Sequence, residues 1–160
     1  MVLRFSTIFA IFSALVFVEA RAFDFSDVEA FARKLGAKNY EEPGPIPSRL
    51  QALDYDGYRK IKNASGQALF EAEELPFRVE LLHLGYLFKR PVEMNVISAD
   101  AKEVVPISFD PTDFDYSRLD WGEAVTADDV SGYAGFRVRH PLNDGGEFDE
   151  ILSALGASYF

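Results

Sequence analysis

The stretch that decides the fold is Leu75–Ser98, LPFRVELLHLGYLFKRPVEMNVIS. Phe77, Val79 and Leu81 alternate with Arg78 and Glu80, the period-2 pattern of a strand with one buried face. Gly85 marks a turn, and Tyr86-Leu87-Phe88 resumes in residues that favour strands. Beyond Lys89-Arg90-Pro91, Val92, Met94 and Val96 alternate with Glu93 and Asn95. Three short strands with tight connections predict an antiparallel meander at the centre of a β-sheet.

Outward from this centre, the N-terminal side offers one helix. Ser26 as N-cap and Glu29 three residues on form a capping box, and Gly36 suits the C′ position. Val28, Phe31, Ala32 and Leu35 fall on one face, which is expected to pack against the sheet. Tyr40–Pro47 holds three prolines and Gly44 and reads as an extended linker. Pro47-Ser48 opens a short helical turn through Leu53, and Tyr55, Tyr58 and Ile61 lead into the sheet.

On the C-terminal side, Val104–Phe109 reads as a further strand. Pro106 places it at an edge or on a bulge, because proline cannot donate to a ladder. Asp110-Pro-Thr is a turn, Asp113-Phe-Asp115-Tyr alternates like a strand, and Asp128–Gly132 is loop. Phe136-Arg-Val-Arg-His140 is the last clear alternating strand, stopped by Pro141. Ile151, Leu152 and Leu155 lead into an aromatic, strand-like run ending at Phe160, and the chain reads as the N-terminal part of a longer protein.

The first 22 residues read as an export signal: Arg4 supplies a positive start, Phe5–Val18 is largely apolar, and Val18-Glu-Ala20 and Ala20-Arg-Ala22 are small-x-small cleavage patterns. The apolar run is shorter than the ~20 residues needed to span a bilayer. Residues 23–160 then form one domain, a length that supports a real core. With no cysteine, its stability rests on packing alone. A formal net charge of −10 speaks against nucleic acid and anionic lipid as partners and leaves a neutral polar ligand compatible.

Candidate chemistry is sparse. Asp113 and Asp115, two apart on a strand, would lie about 6.6 Å apart at Cα. Glycoside hydrolysis needs two carboxyl groups about 5 to 9 Å apart. The ordinary reading of the pair is a solvated loop cluster. Trp121, the sole tryptophan, sits between Asp120 and Gly122. Its ring could stack on a sugar while Asp120 binds hydroxyls, and Tyr116 and Tyr86 offer weaker versions of the same contact; the alternative for each is a core aromatic. His83 and His140 lack a second ligand at zinc spacing, and no phosphate loop or G-x-S-x-G elbow is present, so no metal or other cofactor is expected. His140 reads as a structural strand end.

Taken together, PSRLQALDYDGYRKI (Pro47–Ile61), PFRVELLHLGYLFKRPVEMN (Pro76–Asn95), GYAGFRVRHPLN (Gly132–Asn143) and DEILSALGASYF (Asp149–Phe160) resemble the periplasmic glucan biosynthesis protein G/D family. The resemblance implies an all-β fold: a β-sandwich of the galactose-mutarotase-like kind with one short N-terminal helix, of which this chain covers the opening part. It implies export to the periplasm and a role in making or processing osmoregulated periplasmic β-glucans. Some family members are β-1,2-glucanases whose acidic catalytic residues lie beyond Phe160, so no catalytic residue is assigned here. The implied partners are β-glucan and a membrane glucan synthase, with Trp121, Asp120 and Tyr116 as candidate sugar contacts. A non-catalytic carbohydrate-binding or scaffolding module that assists the synthase is the alternative reading.

Overall fold

The computed structural model describes residues 21–73 and 75–156; the export-signal reading and the final aromatic run fall largely outside them. The helix forms as α1 (Phe25–Gly36), although its cap is Asp24 with Asp27 completing the box, two residues before the Ser26–Glu29 pair. Asp24 Oδ1 accepts from the Ser26 backbone N–H at 2.7 Å, so the carboxylate takes the capping place. The apolar face of α1 does not pack on the sheet. Phe31 is 50% exposed, and Phe25, Val28 and Leu35 are exposed with it. Periodicity specifies which face is apolar, not what covers it.

Two single turns follow, α2 (Ser48–Gln51) and α3 (Tyr55–Tyr58), the second capped by Asp54 accepting from Gly57 N–H at 2.7 Å. Among the described residues, two 3-10 turns, Pro111–Asp113 and Ala127–Asp129, and seven short strands make up the rest: β1 (Lys62–Asn63), β2 (Arg78–Leu82), β3 (Asn95–Ile97), β4 (Val104–Pro106), β5 (Phe114–Asp115), β6 (Gly135–His140) and β7 (Asp149–Leu155). The architecture is therefore mostly strand with a few short helices, as an all-β chain should be.

The meander does not form. β2 pairs with β6, not with the segments that follow it, in the antiparallel order β2-β6-β7. Tyr86–Phe88 is a turn rather than a strand. Gly85 and Tyr86 both hold positive φ (144° and 53°), and reciprocal backbone bonds between Gly85 and Phe88 of 2.7 and 2.8 Å close the loop. Two left-handed residues in succession reverse the chain, which the β-favouring side chains of Tyr86 and Phe88 could not reveal. β3 pairs instead with β4, and Pro106 ends an edge strand of that two-stranded hairpin. β1 and β5 form a third small sheet.

Register explains the layering. Val79 lies opposite Val138 and Leu81 opposite Phe136 on one face of β2-β6; Arg78 lies opposite Arg139 and Glu80 opposite Arg137 on the other. The apolar face lines a groove of about 440 Å³ with Met94, Val96 and Ile107 across it. The buried core gathers Ile46, Leu50, Leu81, Leu84, Phe109, Phe114, Val125, Val130, Tyr133 and Ala134. Gly135 is required where β6 meets β7. Its φ is +150°, and a Cβ there would sit 2.0 Å from the Ala154 carbonyl oxygen.

Candidate functional site

The candidate sugar contacts follow from a turn after β5. Asp115 Oδ1 accepts from the Ser117 N–H at 2.8 Å, and Leu119 N–H donates to the Tyr116 carbonyl at 2.9 Å. This Asx turn folds the chain back so that Trp121 meets Tyr116, ring centroids 6.0 Å apart and planes tilted by 30°. Both rings are half-buried against the core, while Asp120 is exposed. The structure thus brings Tyr116 and Trp121 together, with Asp120 on the adjoining exposed turn. Tyr86 belongs to a different cluster, against Tyr55 and Tyr58.

Sequence reasoning missed Arg49. From α2, its guanidinium lies 5.2 Å from the Trp121 ring centroid and donates to the carbonyls of Glu123 and Ala124, each at 3.0 Å. A further bond of 3.1 Å reaches Asp129 Oδ2. The Thr126 backbone and side chain, then Arg49, hold the Asp129 carboxyl below its ordinary range. One planar fork therefore pins the 121–129 loop and covers part of the indole. No local signal could have shown this, because its partners are more than seventy residues away.

Behind Tyr116 lies His83, only 2% exposed. Its Nδ1 is 2.5 Å from the Leu84 carbonyl, which can only accept, so the proton sits on Nδ1 and Nε2 accepts from the Tyr116 hydroxyl at 2.9 Å. Burial lowers the His83 pKa to about 4, keeping the ring neutral. Burial, followed by the nearby Asp113 charge, raises the pKa of Tyr116. The tyrosine is thereby held protonated, its hydroxyl turned inward. His140 ends β6 with Nδ1 2.7 Å from the Pro76 carbonyl and its ring stacked on Phe77, a structural strand end.

The two candidate acids do not share a face. Asp113 closes a 3-10 turn (Pro111–Asp113) and points to the Tyr133 hydroxyl, 2.5 Å away, whereas Asp115 on β5 caps Ser117. The strand geometry that would align them begins only at Phe114.

A second, polar cleft of about 330 Å³ opens on the other side of His83 and Phe114, between α3–β1 and the charged face of β2-β6. Tyr58, Arg59, Lys62, Asn63 and Arg137 line it. Glu80 clamps Arg137 through Nε (2.6 Å) and Nη2 (2.5 Å) and also holds Arg139 at 3.1 Å. Asn63 accepts from Arg137 at 3.2 Å and donates to the Leu81 carbonyl at 2.7 Å. Among the described residues, no helix is long and apolar enough to cross a membrane.

The model of the family described as "Periplasmic glucan biosynthesis protein, MdoG" matches residues 23–160. Glucans biosynthesis protein G of Ralstonia nicotianae is 41% identical over 145 residues, covering 88% of this chain and 27% of the relative. The protein of the same name from Pseudomonas aeruginosa is 37% identical over 151 residues, 92% of this chain and 28% of its own length. That from Dickeya dadantii is 33% identical over 152 residues, 94% and 28%. The chain thus spans little more than a quarter of the length of these curated relatives. With a family model that extends from just before α1 to the final residue, the chain belongs to the periplasmic glucan biosynthesis protein family.

Proposed function

We propose that this chain is the glucan-contacting opening part of a periplasmic β-sandwich of the galactose-mutarotase-like kind, and that it binds the β-1,2-linked backbone of a periplasmic glucan. The family match over residues 23–160 carries this reading. The contacts are the exposed edges of Trp121 and Tyr116, with Asp120 accepting from sugar hydroxyls. An indole edge held in place by Arg49 offers apolar surface to the C–H groups of a sugar, and a carboxylate beside it takes the O–H donors. The fixed His83 tautomer keeps the Tyr116 ring oriented.

Trp121 is the only tryptophan of the chain, so its fluorescence reports on this surface alone. Saturating linear β-1,2-glucan is expected to shift the emission, and Trp121→Ala or Asp120→Asn to weaken binding. Emission unmoved by glucan removes Trp121 from the contact surface.

A second reading is a non-catalytic module that assists a membrane glucan synthase, and the arrangement of Asp113 and Asp115 supplies no carboxylate pair within this chain. One is turned to Tyr133 and the other caps Ser117, so the two do not flank a common bond. Incubation of the full-length family protein with linear β-1,2-glucan separates the readings: shortening of the chains means hydrolysis by residues outside this chain, and binding without shortening means a scaffold.

A further inference from the structure

The polar cleft beside β1 runs against the charge of the chain as a whole. The protein carries 26 acidic and 16 Lys and Arg side chains, yet the cleft is lined by Arg59, Lys62 and Arg137 and by no carboxylate among the described residues. Glu80 lies behind Arg137 and is shared with Arg139, and Glu150 approaches Arg137 Nη1 only to 3.7 Å. Asp115 lies opposite Lys62 across the β1–β5 pair without reaching salt-bridge distance, so four cations face three carboxylates. Among the described residues, Arg59 and Lys62 have no carboxylate at salt-bridge distance.

The polar groups already paired in the cleft narrow the ligand. The Tyr58 hydroxyl donates to the His83 carbonyl at 2.8 Å, and the Asn63 amide donates to Leu81 while its oxygen accepts from Arg137. Nε and Nη2 of Arg137 are committed to Glu80 and Asn63. The side-chain groups without a hydrogen-bond partner among the described residues are the Nη1 of Arg137, with Glu150 at 3.7 Å, the Arg59 guanidinium, which stacks 5.4 Å from the Tyr55 ring, and the Lys62 ammonium. Apart from the Tyr58 oxygen, these are donors and charged. A sugar hydroxyl both donates and accepts, and among these side chains only the Tyr58 oxygen accepts from it; an oxyanion only accepts, and it matches the donors. Glu80 fixes the Arg137 fork in advance, which lowers the ordering cost of a bound anion.

We propose that this cleft is an oxyanion subsite that takes a phosphate or carboxylate group, separate from the Trp121 surface and independent of the glucan reading. Its positive lining reverses, at one place, the preference for neutral ligands that the net charge implies. Two or three charge-assisted bonds in an open, solvated cleft correspond to binding in about the millimolar range. The attraction should weaken as salt is added.

The experiment is calorimetric titration of the full chain with inorganic phosphate, with glucose 6-phosphate and with glucose. Phosphate is expected to bind saturably, glucose not at all. The double variant Arg59→Gln/Lys62→Gln, which alters two exposed side chains, should bind phosphate roughly tenfold more weakly, a change of about 1.4 kcal/mol. The charge-conserving Arg59→Lys/Lys62→Arg should bind nearly as the parent does. Glucose 6-phosphate binding more tightly than phosphate identifies a sugar-borne anion, and equal affinity a free one; both support the subsite. Equal phosphate affinity in the parent and the glutamine variant overturns it, as does the absence of saturable phosphate binding by the folded parent.

Discussion

The Tyr133 hydroxyl lies 2.5 Å from Asp113 Oδ2, 3.1 Å from the Ser108 carbonyl and 2.9 Å from the Asp110 N–H that donates to it. Tyr133 is 1% exposed, so its single phenol proton has two acceptors to serve in a nearly dry site. With Asp113 ionised, the proton goes to the carboxylate and Ser108 is left facing an oxygen. With Asp113 protonated, the acid donates to Tyr133 and the phenol donates to Ser108, satisfying all three. Burial, opposed by the Tyr133 bond and helped by nearby Asp110, pushes the Asp113 pKa above its ordinary 3.8.

Asp113 should therefore shape the acid side of the stability curve. A carboxyl whose pKa is raised on folding contributes stability that is complete below 3.8 and is lost as pH rises through the folded value. Asp113→Asn keeps a group that can donate to Tyr133 and does not titrate. The difference in Tm between variant and parent should move in favour of the variant as pH rises from 3.8 toward neutrality. A difference that stays constant across that range would sink the assignment.

His83 acts with the opposite sign. Its pKa falls from 6.5 to about 4 on folding, so its contribution is complete above 6.5 and is lost as pH falls toward 4. The loss is on the order of 3 kcal/mol. His83→Phe cannot titrate and strips partners from the Tyr116 hydroxyl and the Leu84 carbonyl. It should lower stability at neutral pH by about 1–3 kcal/mol and flatten the denaturant midpoint between pH 6.5 and 4.

Gly135→Ala should break the β6–β7 pairing. The added Cβ would meet the Ala154 oxygen at 2.0 Å and the Leu155 Cα at 2.8 Å, at a φ of +150°. Clash and backbone strain together cost on the order of 3 kcal/mol or more. Gly36→Ala, with nothing within 4 Å of the new Cβ, is the control and should leave the midpoint within about 1 kcal/mol of the parent. Equal effects at the two glycines would contradict a close β6–β7 junction at Gly135.

Leu50 and Phe31 form a contrasting pair. Leu50, the buried residue of α2, is 0% exposed in the core, and its replacement by Ala should cost about 2–5 kcal/mol. Phe31 looks like a core residue from its spacing, but half of its surface is in water, so Phe31→Ala should stay within about 0.5 kcal/mol. Chemical denaturation of the two variants side by side tests both values.

The sequence by itself determined the elements whose signals are local. The alternation of Arg78–Leu82 and of Phe136–His140, the helix over Phe25–Gly36 and the strand that starts at Val104, expected to run to Phe109 but stopping at Pro106, all arise from side-chain period, propensity or capping within a few residues. The order of four motifs also indicated the family. Tertiary structure alone decided the rest. It joined β2 to β6 across more than fifty residues, turned Tyr86–Phe88 into a loop through two positive φ angles, and left the α1 stripe in water. It also set Arg49 over Trp121 and gathered three cations around one cleft in an acidic chain. The physical reason is common to all of these. Period and propensity describe how a segment prefers to fold, whereas strand partners, ion pairs and clefts depend on free energies between segments that local spacing does not encode.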